Sequence, residues 1–386
     1  MRATPLSRII SRSTRATLIT ILMVVNVLAA IATIISAYGG IIDPDLSIFP
    51  ALMSMMLPGI LIGDLLLVAL DLIVRKWSMT FIIAISWLVS LPPLLTYAPM
   101  NIGTHELTPE EKERSFTLLT YNALHFWDFR GNVPGLESNS TIDYILETDA
   151  DIVNLQEVEF IKTWPLWHIT SDQISRLNAR YPYRMVDINN QLTILSKYPF
   201  NYDDIPLPSP MDVRMALFRF NIQGHMVNLF NVHLESIGLS MADKALYQNL
   251  FDKAPGSERA IRKELSDVKH QLISKLAVAF RKRADQARFI RHTIDSIGGN
   301  FIVAGDFNDI QGCYAVRTIM DGDMKDAYAE NAFGPTITYH GNRFYFRIDQ
   351  VLYKGDMKAV DIERGDIESS DHYPLLTTFV FDGNSP

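Results

Sequence analysis

Hydrophobic positions follow two regimes along this chain. Up to about residue 99 they run almost without interruption, in three stretches: Ala16 to Ile41, Pro50 to Val74 and Trp77 to Pro99. Each reaches the twenty or so residues that cross a hydrocarbon core at about 1.5 Å per helical residue, which predicts three membrane helices. A cleaved signal peptide is the competing reading of the first stretch, since basic residues precede it and Ser36, Ala37, Gly39 and Gly40 close it. Its length and the two further spans count against that. Beyond residue 115 the apolar residues instead come in short bursts, each ending on a polar side chain.

Those bursts predict strands and helices in alternation. Phe116 to Tyr121 is β-prone and ends in Asn122, and Asp151 to Gln156 leads to Glu157. Ser140 to Thr148 has helical spacing, and Leu192 to Leu195 reads as a short strand before a Lys197-Tyr198-Pro199 turn. Val213 to Phe220 pairs with Met226 to Val232 across Gln223-Gly224, the second strand delivering His233 and Glu235. A long helix is expected over about Ser257 to Ile297. Then comes Phe301-Ile302-Val303-Ala304-Gly305-Asp306-Phe307-Asn308, a buried run stopping at a glycine. If the chain stays extended past Gly305, Asp306 and Asn308 share one face; a turn former or helix cap is the blander reading of that aspartate. Arg347 to Tyr353 is a strand with Asp349 at its head, and Asp371-His372 precedes the strand Leu375 to Phe381.

Charge separates the two regimes further. The first hundred residues hold six Lys/Arg and four Asp, leaving 29 basic and 39 acidic residues for 101–386. A domain that acidic lacks the clustered cations that neutralise the phosphates of long nucleic acid. One cysteine, Cys313, excludes an internal disulfide and a thiolate metal cluster. The N-terminal flank carries Arg2, Arg8, Arg12 and Arg15, the loop 42–49 carries no Lys or Arg, and the tight second turn carries Arg75 and Lys76. This bias places the N-terminus in the cytoplasm of an inner membrane, multi-pass, with the C-terminal part on the periplasmic or extracellular side. Residues 101–114, polar and with Gly103 and Pro109, read as a linker. Asp64 and Asp71 lie seven apart on one face of the second span. Asp71 is expected to snorkel toward Arg75, and Asp64 to face another helix or a self-association contact.

Six strand tips thus carry Asn122, Glu157, His233, Asp306 with Asn308, Asp349, and Asp371 with His372. Strand ends on one sheet edge can converge on a single cleft, and this set suits one chemistry. Glu157 and Asp371 are hard oxygen ligands for Mg²⁺ or Mn²⁺. His372 can take a proton from water near neutral pH, with a carboxylate such as Asp349 holding its tautomer. Asn122, Asn308 and His233 can donate to phosphate oxygens as charge builds. Zinc is disfavoured, because no HExxH occurs and only two of the nine histidines fall at these tips.

The six segments, Tyr121-Asn122, Leu155-Gln156-Glu157, Asn231-Val232-His233-Leu234, Gly305-Asp306-Phe307-Asn308, Ile348-Asp349-Gln350-Val351-Leu352 and Ser370-Asp371-His372-Tyr373-Pro374, together resemble the endonuclease/exonuclease/phosphatase superfamily, in its order. The resemblance implies an α+β fold over 115–386, a four-layer α/β/β/α sandwich of the DNase I or sphingomyelinase type, and Mg²⁺-dependent hydrolysis of phosphomonoesters or phosphodiesters. It also implies roles: Glu157 as metal ligand, Asp349 and His372 as the water-activating dyad, Asp306 as catalytic acid, Asn308 as phosphate-orienting amide, Asn122 as the amide organising the site, and Asp371 near a second metal position. The histidine at 233 resembles the sphingomyelinase-like, DNase-like and deadenylase-like branches; the abasic-site nucleases carry tyrosine there.

Several residues keep two readings. Arg214 and Glu235 read as surface or salt-bridge groups rather than ligands, and Arg347 either reaches a phosphate or faces outward. Ten basic residues from Arg259 to Arg291 form a solvated helix face or rest on anionic head groups. Trp164, Trp167 and His168 form a substrate wall or pack into the core. The expectation is a membrane-anchored, Mg²⁺- or Mn²⁺-dependent phosphoesterase acting on a phosphoester substrate, with a lipid head group in the adjoining bilayer favoured. An extracytoplasmic nuclease is the alternative enzyme, and a catalytically silent membrane-held binding module the alternative of another class.

Overall fold

The computed structural model describes residues 12–103, 105–128, 137–209, 211–238, 258–341 and 345–383, with the backbone alone at 12, 13, 166 and 258–271. The chain divides into two units, Met1–Leu95 and Thr96–Pro386.

In the first unit one helix, α1 (Arg12–Tyr38), is the core of a straight apolar span, Thr14–Ile41. The other two expected spans are not straight. The second is α2 (Phe49–Met55) and α3 (Leu57–Ile73), bent by 66°; the third is α4 (Trp77–Val89) and α5 (Leu91–Tyr97), bent by 71°. Proline sits at each break, Pro58 in the first turn of α3 and Pro92-Pro93 in that of α5, where the ring removes a donor and clashes with the preceding turn. Each bent pair is one span by composition and length only when its halves are taken together. Asp71 departs from expectation. It is fully buried and accepts from Asn26 Nδ2 at 3.3 Å rather than reaching Arg75. Asp64 Oδ2, one heptad away, accepts from Thr33 Oγ1 at 2.7 Å and Trp87 Nε1 at 2.9 Å, so the polar positions of α1, α3 and α4 face inward together.

The second unit holds two six-stranded mixed sheets. The first has the order β11 (Met357–Arg364), β12 (Leu375–Phe381), β1 (Ser115–Asn122), β2 (Ile152–Gln156), β4 (Leu192–Ser196), β3 (Tyr183–Asp187). The second runs β5 (Phe200–Asp203), β6 (Arg214–Ile222), β7 (His225–His233), β8 (Asn300–Asp306), β10 (Asp349–Lys354), β9 (Lys325–Asp326). Each sheet has one parallel pair at its heart, β1 with β2 and β7 with β8. Alternation along β1 shows how the layers form. Phe116 and Leu118 enter the core between the sheets with Phe218, Leu229, Ile302 and Phe379. Leu119 and Tyr121 turn the other way, onto Ile142 and Ile145 of α7 (Ser140–Thr148) and Leu177 of α8 (Ser171–Arg180). On the far face of the second sheet, the long helix Glu258–Ile297 is tied to the ends of β7 and β8. Gln286 Oε1 accepts from the amide of Glu235 at 3.0 Å, and Arg283 Nε donates to Asp309 Oδ2 at 3.0 Å with both side chains buried. Helix, sheet, sheet, helix is the four-layer sandwich that the strand-tip segments implied.

One buried polar network crosses between the sheets. Gln156 Nε2 donates to Asn231 Oδ1 at 2.7 Å, Asn231 Nδ2 to the Leu155 carbonyl at 3.0 Å, and Asn154 Nδ2 to the Ala304 carbonyl at 3.1 Å. All three amides are fully buried, so their bonds fix the register of sheet on sheet in a way that apolar packing alone does not. Gly305 allows the closest approach: a Cβ there would lie 2.1 Å from the Val232 carbonyl oxygen, and its φ of +143° suits glycine alone.

Three expectations change here. The 101–114 segment is not a free linker, because Thr108 caps α6 (Pro109–Glu113) in a capping box with Glu111, and Asn101 is bonded to the 329–332 backbone. Arg347 neither reaches outward nor toward the strand tips; it is buried against Asp326, with Nη1 and Nη2 at 3.1 and 2.5 Å from the two carboxylate oxygens. Four members of the basic stretch are paired within the unit: Lys282 with Glu235, Arg283 with Asp309, Arg288 with Asp285 and Arg291 with Asp295. The side chains of Arg259, Arg262, Lys263 and Lys269 lie outside the described residues.

The buried Arg347–Asp326 pair yields a stability test. Arg347→Met leaves Asp326 charged and unpaired in the interior and should cost about 3–5 kcal/mol, read as a lowered midpoint in denaturant unfolding of the full chain in detergent. Unchanged stability with a raised KM would instead return Arg347 to substrate binding.

Candidate active site

The strands that carry the polar tips end at one edge of the sandwich. In the first sheet the parallel pair β1 and β2 finish on Asn122 and Gln156, with Glu157 next. In the second, β7 and β8 finish in register, His233 opposite Asp306. The antiparallel neighbour β10 begins there, Asp349 opposite Asp306, and β12 enters opposite Thr120 three residues after His372. The topology therefore gathers chain ends and chain starts at one edge, and the polar side chains meet because their strands do.

Asn122 joins the two sheets. Its Nδ2 lies 3.1 Å from Glu157 Oε1 and 3.1 Å from Asp306 Oδ2. His233 Nε2 lies 3.8 Å from Glu157 Oε1 and 3.7 Å from Asp306 Oδ2. His372 Nδ1 is bonded to Asp349 Oδ2 at 2.8 Å, which leaves Nε2 facing Asp306 Oδ2 at 3.7 Å. Asp306, Asp349 and His372 each offer a ligand atom within 4.8 Å of the others, all three buried.

Asn308 reaches the group by a different path from the one expected. The backbone does not stay extended: Asn308 has φ +50°, and its amide donates to Asp306 Oδ1 at 2.7 Å, so a tight turn carries its side chain back. Its Nδ2 bonds the Leu234 carbonyl at 3.0 Å and lies 3.4 Å from Asp306 Oδ2. Glu157 also has left-handed backbone, φ +55°, and so do Leu124, His125 and Phe126 in succession. Such conformations cost non-glycine residues free energy and persist where surrounding contacts over-determine them. Here the His125 amide donates to the Glu157 carbonyl at 2.7 Å.

Asp371 stands apart. Its carbonyl accepts from the His340 amide, and its charge bears on His372, but no hydrogen bond or ion pair among the described residues joins its carboxylate to Glu157. Glu235 pairs with Lys282, and Arg214 donates from Nη1 to Gln191 Oε1 at 3.1 Å. Trp164 and Trp167 stack on each other with centroids 4.6 Å apart, Phe160 completing a three-ring cluster that packs partly on the core.

Sequence reasoning overlooked three contributors. His125 stands with Nε2 at 4.0 Å from Glu157 Oε2 and Nδ1 at 3.6 Å from Glu159 Oε1. Thr338 Oγ1 accepts from the amides of Ile348 and Asp349, at 2.9 and 3.0 Å, fixing the start of β10. Ser370 Oγ donates to the Asn122 carbonyl at 2.8 Å and accepts from the His372 amide at 3.2 Å. Only Ser370 had a signal, its place beside Asp371-His372; a left-handed turn and a bridging threonine leave none.

The electrostatics follow from burial without countercharge. Burial pushes Asp306 up to about 7, with Asp349 adding to the rise and His372 opposing it. Burial alone would depress His372, but the Asp349 and Asp306 carboxylates outweigh it and push the imidazole up to about 10. His233 is held below its ordinary value by burial, then by Arg214, His372 and His125, and is neutral at pH 7. Among the described residues, no Lys or Arg forms an ion pair with Glu157, Asp306 or Asp349. Three carboxylates that share only histidines and amides, with Glu157 partly open to solvent, fit a divalent cation, and a donor set this rich in oxygen fits a hard one.

The profile of the Endonuclease/Exonuclease/phosphatase family matches residues 119–372, and one described only as a domain of unknown function matches 19–97. No curated protein sequence matches significantly. Similar solved structures include an endonuclease/exonuclease/phosphatase from Bacteroides vulgatus, 18% identical over 69% of this chain and 99% of that one, TM-score 0.45. Truncated TDP2 from Caenorhabditis elegans is 18% identical over 69% and 98%, TM-score 0.44. Sphingomyelinase C from Streptomyces griseocarneus is 17% identical over 68% and 99%, TM-score 0.38. With two thirds of its length matched by one profile, and all six strand-tip segments inside or at the border of that match, the chain belongs to the endonuclease/exonuclease/phosphatase family.

Proposed function

We propose that residues 96–386 form a divalent-metal-dependent phosphoesterase held at a membrane by the apolar N-terminal segments. Family membership supports phosphoester hydrolysis in general. The observation that carries the metal is the cluster of Asp306, Asp349 and His372, whose ligand atoms lie within 4.8 Å of one another, with Glu157 joined to Asp306 through the Asn122 amide and no Lys or Arg ion-paired to these carboxylates among the described residues. Glu157 would hold Mg²⁺ or Mn²⁺. When bound, the cation supplies positive charge beside the non-bridging oxygens of the phosphate.

The chain's own groups supply the rest. Asp349 holds His372 through Nδ1, so Nε2 is the atom that takes a proton from the attacking water. Neutral His233 and the amide of Asn308 are placed to donate to phosphate oxygens as charge builds. Asp306, pushed up to about 7 before any cation is bound, is placed to assist proton movement or the leaving oxygen. Asn122 keeps Glu157 and Asp306 at one spacing. Catalysis is then positioning and charge stabilisation, with no covalent enzyme intermediate.

The straight apolar helix and the two bent pairs support anchoring in the inner membrane by three spans, with the arginine-rich N-terminus cytoplasmic and the catalytic unit outside. A tether raises the effective concentration of substrates lying in that membrane.

Three outcomes test this reading. His372→Ala and Asp349→Asn should each lower kcat on bis(4-nitrophenyl) phosphate by roughly 10²–10⁴-fold with KM little changed; near wild-type kcat would remove the dyad from the mechanism. Mn²⁺ should raise the unfolding temperature of the full chain, and Glu157→Gln should abolish that rise; an equal rise in both would place the ion elsewhere. The third concerns pH. A cation beside the carboxylates opposes the imidazolium, so His372 should fall from about 10 toward neutrality on metal loading. Activity of the loaded enzyme should thus rise with pH along a limb well below 10, and a limb that stays near 10 would contradict a cation at this position.

A further inference from the structure

Just past the last apolar helix the chain becomes part of the catalytic unit. Gly334 N donates to the Pro99 carbonyl at 2.6 Å, Met100 and Phe333 form an antiparallel bridge, and Asn101 N donates to the Ala332 carbonyl at 3.3 Å. The Asn101 side chain adds bonds to the carbonyls of Ala329 and Ala332 at 2.9 and 3.1 Å. This platform is rigid. The helix Ala327–Asn331 beneath it is capped by Asp326, the partner of buried Arg347, and Ala332 packs on the inter-sheet core.

On that platform three large apolar side chains point away from the protein: Met100 is 66% exposed, Ile102 88% and Phe333 66%. A single exposed apolar residue needs no explanation. Met100 and Phe333 lie on paired backbone and Ile102 follows the bonded Asn101, the group beginning three residues after Tyr97 ends the third apolar segment. Three residues of extended chain reach at most about 11 Å, so Met100 falls within or beside the head-group zone of a bilayer that the segment spans. We propose that Met100, Ile102 and Phe333 form a docking face that seats the catalytic unit in the lipid surface from which its chain emerges, presenting phospholipid head groups to the active site.

The same strand of chain connects the face to the chemistry. From Phe333 it passes a cleft of about 300 Å³ lined by Ile337, His340, Tyr345, Arg364 and Tyr373. It then pairs Tyr339 with His372, the two rings 5.0 Å apart. Five residues lie between Phe333 and Tyr339, six steps of chain that span at most about 22 Å. Within the cleft, the Arg364 guanidinium lies 4.1 Å from the centroid of the Tyr373 ring, and its Nη2 pairs with Asp366 Oδ1 at 2.8 Å at the exposed side. An exposed apolar rim whose own chain leads through an aromatic cleft to His372 suits a substrate whose tail stays in the bilayer and whose phosphate is drawn out of it. The assignment of substrate rests on the phosphoesterase reading above; the docking face does not.

The test uses the full chain reconstituted in phosphatidylcholine/phosphatidylglycerol vesicles containing spin-labelled lipid. Cys313 is buried, so an introduced cysteine carries the fluorophore. A label on Phe333→Cys should be quenched by the spin-labelled lipid several-fold more than one on Asp172→Cys, an exposed site on α8. Ile102→Glu with Phe333→Glu should lower hydrolysis of the vesicle phospholipid about tenfold, while hydrolysis of bis(4-nitrophenyl) phosphate is unchanged. Equal quenching at the two positions overturns the docking face, as does a Phe333 label shielded from water and lipid alike. An equal fall on both substrates overturns its role in presenting lipid. If neither substrate is hydrolysed with Mg²⁺ or Mn²⁺, the phosphoesterase reading fails, and the quenching comparison still decides the docking face.

Discussion

One amide nitrogen stands between the two halves of the site. Asn122, at the end of the first sheet, is shared by Glu157 of that sheet and Asp306 of the other, at equal distances. Two carboxylates brought this close repel unless a donor or a cation lies between them. A neutral donor holds the geometry without cancelling the charge, which leaves the edge of the sandwich charged and receptive. The buried Asn154, Gln156 and Asn231 bonds make this spacing reproducible, since a slip of sheet on sheet would leave several amides unsatisfied in the interior.

This arrangement explains why the parallel pairs lie at the centres of the sheets. Parallel neighbours deliver their C-terminal ends to the same edge, so β1 with β2, and β7 with β8, bring Asn122, Glu157, His233 and Asp306 together. Antiparallel β10 and β12 then begin at that edge and contribute Asp349 and His372 from their starts. Burial does the electrostatic tuning: it lifts Asp306 and depresses His233, while two nearby carboxylates hold a proton on His372 against it.

Much of this was legible in the letters because the chemistry sits at strand tips. Short apolar runs ending in Asn122, Glu157, His233 and Asp306 expose both the element and its cargo, and the hairpin at Gln223-Gly224, both with positive φ, announced itself by its turn. What stayed hidden depends on conformations that have no letter pattern. Asn308 joins the group through a left-handed turn rather than by strand alternation, and His125 arrives through three successive left-handed residues. Arg347 beside Asp349 read as either a phosphate contact or an outward-facing residue, and its partner Asp326 is far enough back in sequence, and on a short enough strand, to give no local cue. In the apolar segment, composition predicted spans but not their bends, and the partners of Asp71 and Asp64 lie on α1 and α4, which periodicity along α3 alone could not name.

In the proposed chemistry a cation meets Glu157 where the two sheets join. The most direct measurement is anomalous scattering from crystals of the full chain grown with Mn²⁺. A manganese peak is expected in coordination contact with the Glu157 carboxylate, lost in Glu157→Gln. Ordered Mn²⁺ only at other carboxylates, or none at this edge at millimolar concentration, would contradict it.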